Sequence, residues 1–341
     1  MLIYTLLGLL FFSFATAAPA PSSREVLLSA DVPARKIGRL DQGEIISHAI
    51  LESTDKELAM SVAIYLPVHP DKIIDYIKSV ELFAIDSDVT AYGVIPNNAN
   101  AIDFKVFAFN STLIDELIDL LSTGEADAFN LSSPELASFA VLQNTLVDAD
   151  KSILIKKVTQ KYREILQQRW QLYRKSGLKG IADYFRADGV ASPAAELKIS
   201  AESCKVLTHF FPELSHGWNN YPTALPSGIE ERFYWINRLV ENRPTTILAQ
   251  SVLQVTKAGA LILGRQYYVG HSYNSSHMCV GILPYREGTL VYYIESTSTD
   301  QVAGIAKDLR HLIGREQLKD QMIKHLEKLG KTFGMVSNPD A

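Results

Sequence analysis

The chain has 341 residues, of which 47% are hydrophobic and 21% are charged, and its formal net charge is −5. This composition is typical of a globular protein with a large apolar core. The sequence has no cluster of lysine and arginine of the kind that binds a phosphate backbone, so we expect no nucleic-acid partner. No cofactor is predicted.

The first residues have the layout of a secretory signal peptide. Residues 2–14 are apolar apart from Thr5 and Ser13, and the Ala-Thr-Ala at 15–17 supplies a small-x-small cleavage signal. No Lys or Arg precedes the apolar stretch, so an uncleaved N-terminal anchor stays open as an alternative. We expect a signal peptide over residues 1–17, an exported protein that is periplasmic or secreted, and no membrane span in the mature chain.

After an N-terminal segment over residues 18–56, the sequence predicts a single α+β domain over residues 57–333, followed by a tail over 334–341. The domain opens with a strand, because apolar residues alternate with smaller ones from Met60 to Leu66. The next predicted elements are a helix over 71–80, a short strand at AYGVIP and a strand over 102–109.

A helical insertion is predicted at about residues 111–215. Ser133-Pro134 is a helix-start signal, and Gly177 is a helix-stop signal because glycine adopts the left-handed cap. The predicted helices cover residues 111–122, a segment that opens at Ser133, residues 151–175, and one uninterrupted helix over 192–211.

Five strand candidates follow the insertion, joined by short connections rich in turn residues. Short connections between successive strands indicate an antiparallel meander. A long final helix is predicted after a capping box over residues 298–301. The fold class is therefore α+β, with an antiparallel meander sheet packed on a long C-terminal helix and a large helical insertion. The strands are predicted at 231–241, 245–255, 260–273, 277–283 and 289–296, and the apolar stripe of the helix comprises Val302, Ile305, Leu309, Leu312, Ile313, Met322, Ile323, Leu326 and Leu329.

This order of elements resembles the helix-grip superfamily, which includes START lipid-transfer domains and polyketide cyclase-like proteins. The likeness rests on SVAIYLPVHPDKIIDYI at residues 61–77 and on residues 230–333, which is less than half of the chain. It implies that a curved sheet wraps the last helix and that a cavity lies between them. The segments YVGHSYN and STSTDQVAG are also similar to segments of uncharacterised exported bacterial proteins, a likeness that implies no activity.

Residues 264–285 concentrate polar and aromatic side chains and form the candidate site. If residues 260–273 are one strand, Arg265, Tyr267, His271 and Tyr273 share a face. In a helix-grip sheet that face lines the cavity, so these four residues are the predicted ligand-binding residues for a small apolar or amphipathic, lipid-like molecule. The alternative is that the tyrosines and His271 hydrogen-bond locally at a sheet edge.

Two further functions stay open. The same pocket would serve a hydrolase or cyclase-like enzyme with His271 as general base, although the catalytic residues are otherwise unknown. A structural or partner-binding envelope protein without a ligand is the other alternative, and its protein partner is unknown. No metal site is predicted, because the spacing of His271, His277 and Cys279 matches no compact zinc motif.

Several polar residues have simple structural interpretations. Glu295 or Asp300 would form an ion pair with Arg265 across the sheet. Arg310, His311 and Arg315 lie off the apolar stripe of the last helix and are expected on a solvated face. Cys204 and Cys279 would form one disulfide or remain buried thiols, and their spacing does not decide between the two.

Overall fold

The computed structural model describes residues 21–79, 86–96, 118, 121, 129–145, 149–304 and 306–334. The predicted signal peptide, the strand over 102–109, nearly all of the helix over 111–122 and nearly all of the tail lie outside the described residues. In the N-terminal part, the elements are helices α1 (Ser23–Ser29) and α2 (Ala34–Leu40), strands β1 (Ile46–Ala49) and β2 (Glu57–Leu66), helix α3 (Pro70–Ser79) and strand β3 (Val89–Val94).

A largely helical insertion separates β3 from β6 in the sequence. It includes a long helix, a small hairpin and three short helices in succession. These elements are α4 (Ser133–Thr145), α5 (Lys151–Ser176), β4 (Tyr184–Arg186), β5 (Gly189–Ala191), α6 (Pro193–Ser203), α7 (Lys205–Phe210) and α8 (Pro212–Asn219).

The C-terminal part is a five-strand meander followed by one long helix. Its elements are β6 (Ile229–Val240), β7 (Arg243–Thr256), β8 (Gly259–Val269), β9 (Ser275–Tyr285), β10 (Gly288–Ser298) and α9 (Lys307–Thr332). The meander that the sequence predicts is confirmed, with strand ends that differ by a few residues.

Eight strands form one antiparallel sheet in the order β1-β2-β10-β9-β8-β7-β6-β3. The last strand, β10, pairs along its whole length with β2, from Thr289 opposite Leu66 to Ser298 opposite Glu57. Strand β3 closes the other edge by pairing with β6. The α+β fold class, with a meander sheet, a C-terminal helix and a helical insertion, is confirmed.

The two faces of the sheet pack against different helices. Because side chains alternate along a strand, Ile262 and Val280 face one side while Leu263 and Cys279 face the other. The first side packs against α3 and α9, and we call it the grip face. The second side packs against α1, α2 and the insertion helices, and we call it the insertion face. The protein therefore has two apolar layers, one on each side of a single sheet.

The predicted helix over 192–211 is wrong, because the chain breaks at Cys204 into α6 and α7. Cys204 has an extended backbone with φ −69° and ψ 92°. In one straight helix Val206 would point about 200° away from Cys204 and out of the core. The break turns α7 so that Val206 and Leu207 are both buried. Pro212 then opens α8, a helix that the sequence analysis missed.

In the N-terminal half of α9, the side that faces the core is not the side that the sequence predicts. Met322, Leu326 and Leu329 are buried as the stripe predicts, but the sequence also placed the N-terminal leucines and isoleucine of the helix inward, and this is wrong. Leu309, Leu312 and Ile313 are exposed by 58%, 55% and 51%.

These three residues are exposed because His311 is buried, and not on the solvated face that the sequence predicts for it. Its Nδ1 lies 2.9 Å from Glu52 Oε2, and its Nε2 lies 3.0 Å from the carbonyl oxygen of Asp55. These contacts fix the helix to the segment before β2 and turn the neighbouring apolar residues outward. Among the described residues, no helix combines the length and the apolar character needed to cross a bilayer.

We predict that two leucines of α9 differ sharply in their contribution to stability. Leu326 is 4% exposed and Leu312 is 55% exposed. Leu326→Ala should lower the free energy of unfolding by about 2–5 kcal/mol, because it leaves a void in the core. Leu312→Ala should change it by less than about 0.5 kcal/mol. Urea denaturation of both variants measures the difference, and equal losses would contradict the burial of this helix face.

Candidate functional site

A cavity of about 130 Å³ lies between the grip face and helix α9. Its walls come from strands β3 and β6 to β10, from α3 and from the C-terminal half of α9. For comparison, an apolar cavity of about 150 Å³ is large enough to hold benzene. The apolar lining residues are Ile77, Val89, Ile236, Ile247, Ala249, Met278, Val280, Val291, Leu326 and Leu329.

The space exists because small residues occupy the middle of the grip face. Ala249 and Gly264 lie on adjacent strands beneath α9 and line the cavity. At Gly264 a Cβ atom would lie only 2.7 Å from the Met278 side chain. Glycine at this position therefore lets the flexible Met278 side chain cover strand β8 without filling the cavity.

One end of the cavity is charged, and we call it the polar end; it comprises Asp86, Arg238, Glu295 and His325. Arg238 Nε lies 2.7 Å from Asp86 Oδ2, and His325 Nε2 lies 3.6 Å from the same oxygen. Burial alone would raise the pKa of Asp86, but the contact with His325 and the charge of Arg238 outweigh it and lower the pKa to about 2. Asp86 is therefore ionised under ordinary conditions.

Glu295 is the second carboxylate of the polar end and is only 6% exposed. Ser276 Oγ donates a hydrogen bond of 2.8 Å to Glu295 Oε1, and the Tyr293 hydroxyl donates to Oε2. A charge in such a buried position needs hydrogen-bond donors, and each oxygen retains a further lone pair for another donor.

The polar end also borders a wider cleft with a volume of about 850 Å³. Asp86, Arg238, Glu295, Gln321 and His325 line both spaces. The cleft continues along α9 towards its N-terminal half. A molecule with one end in the apolar cavity would therefore extend past the polar end into the cleft.

Two of the four predicted ligand-binding residues, Arg265 and Tyr267, share the insertion face and not the face that lines the cavity, and β8 carries a bulge at Tyr267. Leu248 pairs with Tyr268 whereas its neighbour Ala249 pairs with Gln266, which leaves Tyr267 as an extra residue. A bulge interrupts the alternation of side chains. The strand also ends at Val269, four residues before its predicted end.

Arg265 directs its side chain to the insertion face. Its Nη1 donates to the Tyr173 hydroxyl at 2.9 Å and its Nη2 to the Trp218 carbonyl oxygen at 3.1 Å. The guanidinium carbon lies 4.2 Å from the centre of the Trp218 ring, which adds a cation–π contact. Arg265 is fully buried and borders the cavity, but its charged group is bonded on the other side of the sheet.

The predicted ion pair between Arg265 and Glu295 or Asp300 is therefore wrong. Glu295 belongs to the polar end on the grip face. Asp300 instead accepts hydrogen bonds from Lys56 Nζ at 2.8 Å and from Arg186 Nε at 2.9 Å.

Tyr267 also packs on the insertion face. Its ring stacks on the Tyr173 ring with a centroid distance of 3.9 Å and an interplanar angle of 8°. Burial raises the pKa of the Tyr267 hydroxyl well above its ordinary value. The residue is part of an aromatic core and not of the cavity wall.

His271 lies in the turn after β8 and is buried. Its Nε2 is 2.6 Å from the Pro244 carbonyl oxygen, and Thr245 Oγ1 and Ser272 Oγ are also within hydrogen-bond distance of the ring. Burial, together with the charge of Arg243, lowers the pKa of His271 to about 4. His271 is therefore a neutral imidazole, and both of its nitrogens contact protein groups. This agrees with the alternative in which His271 forms only local hydrogen bonds.

Tyr273 is the predicted residue whose hydroxyl reaches the cavity region. It donates a hydrogen bond to Oε1 of Gln266, and Gln266 lines the cavity. Burial raises the pKa of the Tyr273 hydroxyl. Tyr273 also lines the wider cleft.

The remaining histidine and the cysteine of this stretch lie on the insertion face. Nε1 of Trp218 donates to His277 Nε2 at 3.1 Å. Burial, followed by the charge of Arg265, lowers the pKa of His277 to about 3. Cys279 is buried in the same layer. Within the described ranges, no group of three or more His, Cys, Asp or Glu side chains is arranged to hold a metal ion.

Sequence reasoning missed the polar end, although two signals for it were present. Arg238 follows Tyr234 and Ile236 at the two-residue spacing of one strand face, where a charged residue is unusual. His325 is adjacent to the buried stripe of α9, three residues after Met322. Asp86 lies in a connection and gives no comparable signal.

Comparison of the chain with protein-family models, with curated proteins and with solved structures gives no match in any of the three.

We predict that the protein loses stability as the pH falls below about 6.5, the ordinary pKa of histidine. His277 has a pKa of about 3 in the folded chain. Between these values the unfolded chain binds a proton that the folded chain does not, so the free energy of unfolding falls. The expected slope is about 1.4 kcal/mol per pH unit for each such histidine, measured by urea denaturation at several pH values.

Two matched variants test whether His277 causes this loss of stability. His277→Gln keeps an acceptor for Trp218 and removes the titrating ring, so its stability should fall less steeply. His216→Gln changes an exposed histidine and should keep the wild-type slope. Identical slopes for His277→Gln and the wild type would show that His277 does not cause the loss.

Proposed function

We propose that the protein binds a small apolar or amphipathic molecule between the grip face and α9. The observation that carries the proposal is the cavity itself, whose apolar walls end at a half-buried group of charged residues. Small-molecule sites commonly combine an apolar pocket with a few convergent polar groups. The apolar end of the ligand lies in the cavity, and its polar end lies at Asp86, Arg238, Glu295 and His325.

The volume limits what the cavity holds. At about 130 Å³ it accommodates a ring or a short chain, since benzene fills a cavity of about 150 Å³. A longer lipid chain would have to continue into the cleft of about 850 Å³. Each methylene group removed from water contributes about 0.8 kcal/mol to binding, so a few buried carbons are enough for measurable affinity.

The charges at the polar end favour a head group that donates hydrogen bonds. Asp86 and Arg238 form an ion pair with each other. Glu295 then remains as a carboxylate that accepts from Ser276 and Tyr293. A hydroxyl or ammonium head group complements it, whereas a carboxylate head group would meet like charge.

We also propose that the protein is related to the helix-grip superfamily and that it is exported. A relation to the helix-grip superfamily is supported by the position of the cavity, between the sheet and the last helix, where the likeness implies one. Export is supported by the signal-peptide layout of the first residues.

A catalytic use of the same cavity is the second candidate. His325 lies 3.6 Å from Asp86 Oδ2, and its ring stacks on the Tyr293 ring at a centroid distance of 6.3 Å. A histidine beside a carboxylate at the edge of a pocket is an arrangement used in general acid–base chemistry. In this candidate His325 replaces His271 as the base, since His271 lies outside the cavity. Hydrolysis of p-nitrophenyl butyrate that is lost in His325→Gln would favour it.

We predict that octanol and octylamine bind the wild-type protein more tightly than octanoate does, because each Glu295 oxygen can accept one more hydrogen bond and a carboxylate head group would meet like charge. Val280→Phe adds a ring to the cavity wall and should weaken binding of octanol and octylamine by at least about tenfold. Isothermal titration calorimetry on protein purified without detergent measures both effects.

Val255→Phe is the matched control, because it makes the same change at a side chain that is 43% exposed on strand β7. It should leave the affinity unchanged. Thermal unfolding of both variants checks that they are folded. Equal affinity in Val280→Phe and the wild type, or no binding of any octyl probe to the wild type, would contradict the proposed site.

A further inference from the structure

Two cysteines that are 75 positions apart in the sequence meet in the core of the insertion face. Cys204 lies at the break between α6 and α7. Cys279 lies in the middle of β9, opposite Leu263 of β8 and Ile294 of β10. Both belong to one apolar cluster, and each thiol is the largest influence on the pKa of the other. Both are present as free thiols.

The surroundings of the two thiols shift their pKa values in opposite directions. The contact with Cys279, aided by the backbone N–H groups of Val206 and Leu207, lowers the pKa of Cys204 despite its burial. The same contact and burial raise the pKa of Cys279, although the Tyr292 hydroxyl donates to it. Of the two sulfurs, Cys204 is therefore the better thiolate.

Cys204 is also the more solvent-accessible of the two thiols. Cys204 is 7% exposed, whereas Cys279 is completely buried. Cys204 also lines a small pocket of about 30 Å³, together with Ser200, Lys205 and His277. A reagent from solvent therefore reaches Cys204 first and meets Cys279 only behind it.

We propose that Cys204 and Cys279 are a dithiol pair that a low-molecular-weight disulfide oxidises to an intramolecular bond. The Cys204 thiolate attacks one sulfur of the reagent, so that a mixed disulfide forms and one reagent thiol leaves. Cys279 then loses its proton to solvent and attacks Cys204 Sγ, and the second reagent thiol leaves. Two protein thiols are oxidised and one reagent disulfide is reduced to two thiols.

The bond would tie the insertion to the sheet. It closes a loop that contains α7, α8 and strands β6 to β8, and it joins the helix break directly to the central strand β9. Cross-linking a long loop restricts the unfolded chain and raises stability. The two sulfurs lie on the insertion face, on the other side of the sheet from the cavity, so this proposal does not rest on the proposed function.

The test uses the full purified chain and oxidised glutathione. After incubation of the folded protein, peptide mapping should find residues 204 and 279 in one cross-linked peptide pair, with the mass lowered by two hydrogens. The thermal midpoint should rise by roughly 5–10 °C. Dithiothreitol should reverse both changes.

Single variants test the order of reaction. Cys279→Ser should stop at a stable glutathione adduct on Cys204, and Cys204→Ser should leave Cys279 unmodified. The wild-type map decides the matter even if a variant does not fold. Two unmodified thiols in the folded wild type, with ready modification after denaturation in urea, would overturn the proposal. An adduct found on Cys279 alone would overturn it as well.

Discussion

The pairing of β2 with β10 is the constraint on which the rest of the structure depends. It joins the first long strand of the domain to the last one, so that the chain segments that follow them, α3 and α9, lie on the same side of the sheet. The grip face is bounded in this way by two helices that are more than 200 residues apart. The cavity lies between the C-terminal half of α9 and the small residues of β7 and β8.

Buried charge is handled differently on the two faces of the sheet. On the insertion face, Arg265 is surrounded by a tyrosine hydroxyl, a backbone carbonyl group and an indole ring. This arrangement stabilises the cation through hydrogen bonds and a cation–π contact. On the grip face, Asp86, Arg238 and Glu295 are placed at the edge of an apolar space. Polar groups that border such a space are free to bond to a guest molecule, which is why the proposed function is assigned to this face.

The meander was predictable from the sequence and the polar end was not, for physical reasons. Strands of the meander are joined by short turns, so their alternation and their neighbours are local properties of the sequence. The bulge at Tyr267 has no local signal, and it places Tyr268 on the same face as Tyr267. The partners of Arg265, Tyr173 and Trp218, come from the insertion and are distant in sequence. Side-chain directions in β8 therefore depend on tertiary packing.

The rotation of helix α9 about its axis also depends on tertiary packing. Its sequence contains apolar residues on more than one side, so two rotations about the helix axis would each bury a stripe. The contact of His311 with Glu52 and with the Asp55 carbonyl group selects one rotation. That rotation exposes Leu309 and Leu312 and brings His325 to the cavity. A contact between residues so far apart in the chain cannot be derived from helical periodicity.

The most direct test of a ligand between the sheet and α9 is native mass spectrometry of the protein purified without detergent, with Val280→Phe measured beside the wild type. We expect a small molecule bound to the wild type, released on denaturation and recovered by organic extraction, and we expect its loss from Val280→Phe. The same molecule held at equal occupancy by both proteins would contradict binding in the cavity, because it would place the ligand elsewhere.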